Sequence, residues 1–386
     1  MSADSVWRTP VPVVQAPMAG GASGPALAAA VSRAGGLGFL AAGYKTAEAM
    51  GAEVRELREL VGDRPFGVNL FVPGASDPGV VDRELPVYRA RLASEAERLG
   101  AELGDVPPYG VSDDWHAKTA LLLAEPVPVV SFTFGCPPVE LVDAFRAAGT
   151  ATVVTVTTAR EAELAAGVRP DVLVVQGAEA GAHQGRWDNA SDEPYGLLTL
   201  LALVRAVTDL PLIAAGGLMT GRQIAAVLAA GGSAAQLGTA FLRCPECAAP
   251  APYKAALADP CFTATRLTRA FSGRPARGLV NRFLTEHDAY APAAYPEVHY
   301  ATAPVRRAAA AAGDPEAMAL WAGQGWRLAR EEPAADVLAR LAAELREVFG
   351  PWRTPAEPPG PAPAGILPDL RRLPGADDLP GGRATP

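Results

Sequence analysis

Eight short segments, apolar on both faces and separated by alanine-rich stretches, recur through the first 260 residues and constrain the fold more than any other feature. They are 12–16 (PVVQA), 37–41 (LGFLA), 67–71 (GVNLF), 127–131 (VPVVS), 151–156 (ATVVTV), 171–175 (DVLVV), 211–215 (PLIAA) and 233–237 (SAAQL). A strand with no polar face must be covered on both sides, as strands of parallel sheets are. Helical patterns fall between most of them. The stretch 25–34, for example, has Ser23 or Gly24 near its start, Pro25 in its first turn and Gly35 past its end. Eight such alternations predict an α/β fold, a (β/α)8 TIM barrel; an open doubly wound sheet is the alternative.

Two regions interrupt the pattern. Between the third and fourth segments lie an Arg/Glu-rich helix at about 80–100 and a polar stretch at 104–114. After about residue 260 the strands stop, and helices are expected at roughly 302–312, 315–331 and 334–349, with Pro315 and Pro333 at two of the starts. The expected division is therefore a barrel from 1–72 and 125–260, and a smaller, mainly helical cap from 73–124 and 261–350. The last stretch, 351–386, carries ten prolines and five glycines in 36 residues and reads as disordered.

Composition excludes several functions. A net charge of −8 leaves no basic field for nucleic acid. The longest uncharged run, 223–242, is broken by Gly231, Gly232 and Ser233, so no membrane span is expected. Asp4, Arg8, Pro10 and Pro12 leave no apolar signal core, and four scattered cysteines make no disulfide framework; a cytoplasmic monomer or homodimer is the expectation. Cys244 and Cys247 have C-x-x-C spacing without a second pair, so no metal is expected.

The chemistry should lie on the loops that follow the strands. The seventh segment ends in Ala215-Gly216-Gly217 and the eighth in Gln236-Leu237-Gly238-Thr239. Turn glycines could account for either pair. Their presence in both of the loops where barrels bind phosphate points to an anion cradle of backbone N–H groups, helped by the Thr239 hydroxyl. The sixth segment leads into Gln176 and the small-residue loop Gly181-Ala182-His183-Gln184-Gly185. Its histidine can act as acid, base or charge partner, or simply tie the loop. His116, His287 and His299 fall in the insertion or cap and read as surface or packing residues. Ala16, Pro17 and Met18 follow the first segment. Asn69 occupies the third, where it could serve a ligand ring or bond to backbone. Arg274 and Arg277 could reach a phosphate or pair with rim carboxylates.

These pieces together resemble the nitronate monooxygenase family. The matching stretches are 15–21, 28–38, 67–71, 131–137 (SFTFGCP), 176–185, 214–217, 236–241, 272–278 (SGRPARG) and 320–325 (LWAGQG), in order along the chain. The resemblance implies an FMN-dependent barrel enzyme that oxidises small anionic alkyl nitronates, or neutral nitroalkanes as well, with O2 to a carbonyl product and nitrite or nitrate. It implies FMN phosphate on Gly216, Gly217, Gly238 and Thr239, with Gln236 close by. Gln176 and Gly181 would touch the flavin or ribityl, Asn69 would face the isoalloxazine, and Ala16, Pro17 and Met18 would line its edge. His183 would be the catalytic group, and Tyr109, Tyr295 and Tyr300 would close the substrate pocket. The alternative in the same superfamily is an FMN-dependent enoyl-(acyl carrier protein) reductase or NAD(P)H:quinone reductase. The family loop usually reads Gly-Gly-His-Arg-Gly; Ala182 here stands where a positive φ would favour glycine, and Gln184 removes a cation.

Overall fold

The computed structural model describes residues 9–349 except 75, 107–112 and 192–193. Tyr109 and the 351–386 stretch thus lie outside the described residues. In chain order the strands are β1 (Val13–Gln15), β2 (Gly38–Ala41), β3 (Phe66–Phe71), β4 (Val129–Thr133), β5 (Ala151–Val156), β6 (Val172–Gln176), β7 (Ala182–His183), β8 (Leu212–Ala215), β9 (Ala234–Leu237), β10 (Thr265–Thr268) and β11 (Ala276–Leu279). Eight of them form one parallel sheet in the order β1-β9-β8-β6-β5-β4-β3-β2. A parallel bridge between Val14 and Leu37 closes it into a barrel, through Gln15 N–H to Leu37 O at 2.9 Å and Leu37 N–H to Val13 O at 3.0 Å. Buried Gln15 fastens the same seam: its Oε1 accepts from Phe39 N–H at 2.9 Å and its Nε2 donates to Ser23 Oγ at 2.8 Å.

All eight expected segments are strands of this barrel. The helices between them start where local chemistry allows. Helix α1 (Pro25–Arg33) begins behind Gly24 with proline in its first turn, and Gly35 follows its end at φ 93°. The remaining helices are α2 (Ala47–Val61), α3 (Pro78–Arg98), α4 (Trp115–Ala124), α5 (Val139–Ala147), α6 (Ala159–Gly167), α7 (Leu197–Arg205), α8 (Gly221–Ala229), α9 (Ala251–Ala256), α10 (Arg282–His287), α11 (Glu297–Ala312) and α12 (Ala334–Phe349). Thr220 and Gln223 form a capping box at the start of α8. No described helix is long and apolar enough to cross a membrane.

Inside the barrel, Val14, Phe39, Val129, Val153, Val174 and Ile213 form an apolar plug. Two residues further along the strands the inward positions turn polar: Ser131, Thr155, Gln176 and Gln236, joined by Asn69 of β3. The floor therefore carries the packing, and the C-terminal rim carries the groups that can bind a ligand.

Three expectations fail after residue 260. Strands do recur there: β10 and β11 pair antiparallel, and β11 pairs with β7, so His183 sits on a clipped strand rather than a free loop. The helix expected at 315–331 is reduced to a 3-10 turn at Trp326–Leu328. Gly323 and Gly325 lie where a side chain would collide with Glu179 O and Gly217 O (2.9 and 2.8 Å), and Trp321 makes a strand bridge to Gly278. This segment is thus held extended against the rim. The helix at 334–349, grouped with the cap by sequence, instead packs on α8 and α1 among the outer helices; Gly221 N–H donates to Glu344 Oε2 at 2.6 Å. The insertion and the C-terminal segment do meet: α3 packs on α11, and Tyr88 donates to Ala270 O at 2.6 Å.

Candidate active site

The polar rim opens into a cavity of about 460 Å3, a size that suits a cofactor or drug-sized ligand. Ala16, Pro17, Met18, Asn69, Gln176, Gly181, His183, Gly216, Gly217, Gln236, Gly238 and Thr239 all line it. Tyr295 and Tyr300 do not; Tyr295 backs His183 with ring centroids 5.5 Å apart, and Tyr300 backs His299 at 5.4 Å.

One end is built from backbone. Gly216 and Gly217 have φ of 126° and 68°, a conformation that glycine adopts freely. The N–H groups of Gly217 and Gly238 find no backbone acceptor among the described residues. Thr239 Oγ1 accepts from Gly323 N–H at 3.0 Å, which leaves its proton to donate. Glu179, next to Gly217, has its carboxylate turned to Leu197 N–H at the start of α7, at 3.0 Å. Open amides, a hydroxyl and a diverted carboxylate fit an anion such as a phosphate. The neighbouring residues Ala16, Pro17 and Met18 line the cavity with apolar side chains, which fits a flavin ring.

Two sequence-chosen residues are also tied to the protein. Asn69 Nδ2 donates to Ser131 Oγ and Thr133 Oγ1, both at 2.9 Å, so its amide is anchored to the neighbouring strand rather than to backbone alone. Gln176 spans the histidine segment, accepting from Gly185 N–H at 2.6 Å and donating to His183 O at 3.2 Å. It fixes the segment that carries His183.

The other end is built from side chains. His183 Nε2 lies 2.9 Å from Ser272 Oγ, and Ser272 donates to Arg274 O at 3.2 Å. A carbonyl can only accept, so satisfying both contacts gives the serine proton to Arg274 and makes His183 Nε2–H the donor. Nδ1 then keeps the lone pair. Burial, with the charges of Arg274 and Arg306, pushes the His183 pKa down to about 3 and holds the ring neutral. Arg274 stacks over Phe134 at 4.1 Å and near Tyr295 at 5.2 Å. It donates to Arg186 O at 2.5 Å. Arg277 is spent on Ala178 O at 2.8 Å. Neither arginine lines the cavity or pairs with a rim carboxylate among the described residues. Burial lowers both Arg274 and Arg306 to about 10. Neither makes an ion pair with a described residue, so this end is positive inside an acidic protein.

Sequence reasoning missed Tyr44, Phe71, Phe134, His299, Arg306 and Trp321, all of which line the cavity. His299, expected to be a packing residue, reaches the site because α11 runs past the rim. Tyr44 follows β2, so its place on the catalytic rim was the available signal. It holds φ 66°, with its N–H donated to Asp113 Oδ1 at 2.9 Å while Lys118 pairs with Asp113 at 2.8 Å. Phe134 and Ala182 are likewise left-handed, at φ 76° and 60°. Strain of this kind concentrates at functional sites, and the glycine preference suspected at position 182 is real.

Other titratable clusters belong to the scaffold. Glu95, Glu286 and His287 converge, but Glu95 is taken by Arg98 at 2.6 Å and Arg282 at 2.7 Å. Cys244 is fully buried and its thiol is pushed up to about 12, so it carries no thiolate.

Comparison with known proteins places the chain in a family. A family model described as nitronate monooxygenase matches residues 6–344. The chain is similar to a nitronate monooxygenase of Pseudomonas aeruginosa, 45% identical over 349 residues that cover 87% of this chain and 96% of the relative. It is also similar to the crystal structure of nitroalkane oxidase from Streptomyces ansochromogenes, with TM-score 0.86 and 57% identity over 90% of this chain and 99% of that one. FabK from Thermotoga maritima aligns with TM-score 0.69 and 26% identity, over 90% and 96% of the two chains.

Proposed function

Because the chain belongs to the nitronate monooxygenase family, we propose that it is an FMN-dependent oxidoreductase that oxidises alkyl nitronates with O2, releasing a carbonyl compound and nitrite or nitrate. The observation that carries this reading is the meeting, in one cavity, of open glycine amides at one end and a neutral histidine flanked by carboxylate-free guanidiniums at the other.

Gly216, Gly217, Gly238 and Thr239 would hold the FMN phosphate, with Gln236 beside them. Ala16 to Met18, Asn69, Gln176 and Gly181 would border the flavin. Bound there, FMN supplies the electron-accepting chemistry that no side chain of this site possesses. The protein's own part is electrostatic and geometric. Arg274 and Arg306 raise the local potential for an anionic nitronate. Phe134, Tyr295 and Trp321 surround His183 with aromatic rings, centroids 5.5–5.8 Å away, and exclude water. Neutral His183 keeps the Nδ1 lone pair, so it can take the α-proton of a nitroalkane; with a nitronate already deprotonated, it orients the anion.

The test is the absorbance spectrum of the purified protein before and after anaerobic addition of propionate 3-nitronate, followed by oxygen-electrode turnover. A flavin spectrum that bleaches with nitronate, and oxygen uptake on aeration, is the expected result. A colourless protein, or rapid bleaching by NADPH without response to nitronate, overturns the reading.

A further inference from the structure

His299 is the second histidine of the cavity, and its hydrogen bonds run in one direction only. Arg306 Nη2 lies 3.2 Å from His299 Nδ1 and 2.9 Å from His299 O. A guanidinium has no acceptor atom, so Nδ1 must accept, and the neutral ring then carries its proton on Nε2. Arg306 is itself fixed: its Nε donates to Thr302 Oγ1 at 3.1 Å. Thr302 donates onward to Phe271 O at 2.6 Å. The ring cannot swing away, because Tyr44 stacks on it with centroids 3.9 Å apart and planes 6° from parallel. Tyr44 OH also reaches Tyr295 OH at 2.9 Å. Burial and Arg306 keep His299 neutral. Nε2 has no partner among the described residues, and it is not among the buried atoms lacking one.

His183 shows the opposite arrangement, with Nε2–H given to Ser272 and the lone pair left on Nδ1. We propose that the two histidines form a complementary pair fixed in opposite tautomers, and that His299 Nε2–H is a donor that binds the charged oxygens of the substrate's nitro or nitronate group while His183 faces its α-carbon. Arg306 and Thr302 are positioning residues that hold the donor in place. The pairing deepens the functional reading and rests on it for the identity of the substrate.

The tautomer is read directly from long-range 1H–15N spectra of the 15N-histidine-labelled holoenzyme, with His299→Phe assigning the signal. Nδ1 unprotonated and Nε2 protonated is expected, with the selection weakened in Arg306→Met; a protonated Nδ1 in the wild type overturns the proposal. Binding is measured by calorimetric titration with nitrate, an unreactive planar anion with the same charged oxygens. His299→Phe, which keeps the ring stack, is expected to weaken nitrate and raise the nitronate KM by about tenfold, with kcat changed much less. His299→Gln, which restores a donor near the Nε2 position, should recover most of both. No nitrate binding by the wild type, or equal binding by the Phe variant, overturns the donor role. Nitrate binding and tautomer do not depend on turnover. A wild type that binds nitrate through His299 but consumes no oxygen with nitronates would sink the reaction and leave the donor standing.

Discussion

The two ends of the cavity are made differently. The glycine end uses main-chain amides from two adjacent strand-to-helix loops, each within a few residues of its strand. The histidine end gathers side chains from positions 44, 134, 183, 299, 306 and 321, spread over most of the chain. A backbone cradle depends on local conformation, so an added charge acts directly on its ligand while few distant contacts are needed. A side-chain cluster depends on how remote elements pack, and its members can change type while the shape persists. The first end should fail by releasing its ligand, and the second by losing rate while the ligand stays bound.

The most severe break is expected at Gly238. Its backbone, φ −113° and ψ −64°, admits other residues, and the nearest atoms to an added Cβ would be Ala16 Cβ at 3.4 Å and Met18 Sδ at 3.5 Å, ordinary contact distances. Gly238→Asp should therefore fold yet lose FMN almost wholly, since its carboxylate would stand against the phosphate; the isosteric Gly238→Asn separates charge from bulk and should keep a larger flavin fraction. Flavin stoichiometry of the folded protein is the measurement. Equal and normal stoichiometry in both variants would remove the phosphate from this loop.

At the other end, His183→Ala should retain FMN and lose turnover by roughly 100-fold or more, the scale of a lost acid–base or orienting group. Steady-state oxygen uptake at matched flavin content checks it, and wild-type rates would refute the role. Loss of flavin together with activity would mean that the two ends are not separable.

The same contrast explains what could be read from the sequence. The eight strands were legible because each is a short, doubly apolar run whose period does not depend on its neighbours. Gly216, Gly217, Gly238 and Thr239 were legible because the fold rule places them by counting strands. His183 followed from its loop. Beyond residue 260 that logic stopped. Thr265–Thr268 and Ala276–Leu279 form a short antiparallel pair that joins the site through the strand edge of Ala182 and His183, a long-range partner no local pattern marks, and Leu320–Gly325 is held against the rim where its glycines meet Glu179 and Gly217. His299 and Arg306 looked like residues of an ordinary helix face, since nothing local marks which face of α11 meets the rim.

Acid should expose the buried histidine. The His183 pKa falls from its ordinary 6.5 to about 3 in the folded protein. The unfolded chain then binds a proton that the folded one refuses, so stability is full above pH 6.5 and declines as pH drops toward 3. From pH 6.5 to 5 this single group should cost about 2 kcal/mol. Denaturant unfolding at pH 5 and pH 8 measures it. His183→Gln is expected to reduce that slope, leaving the dependence due to His299, whose pKa burial also lowers; an unchanged slope would mean that water reaches His183 freely.

The smallest expected effect lies at Ala182. Its φ of 60° is a left-handed conformation in which a methyl group costs about 1–2 kcal/mol. The residue is held there by pairing with Arg277 in β11, next to the pair of His183 with Ala276. Ala182→Gly should relieve the strain and, after the added flexibility of the unfolded chain is counted, stabilise the protein by about 1 kcal/mol. If the strand pairing alone positions His183, turnover should stay within about twofold of wild type. A more stable but distinctly slower variant would show instead that the alanine presses the imidazole into place. The histidine end would then owe part of its geometry to backbone strain, as the glycine end owes its own to backbone freedom. Unfolding midpoints and kcat from one preparation separate the two outcomes.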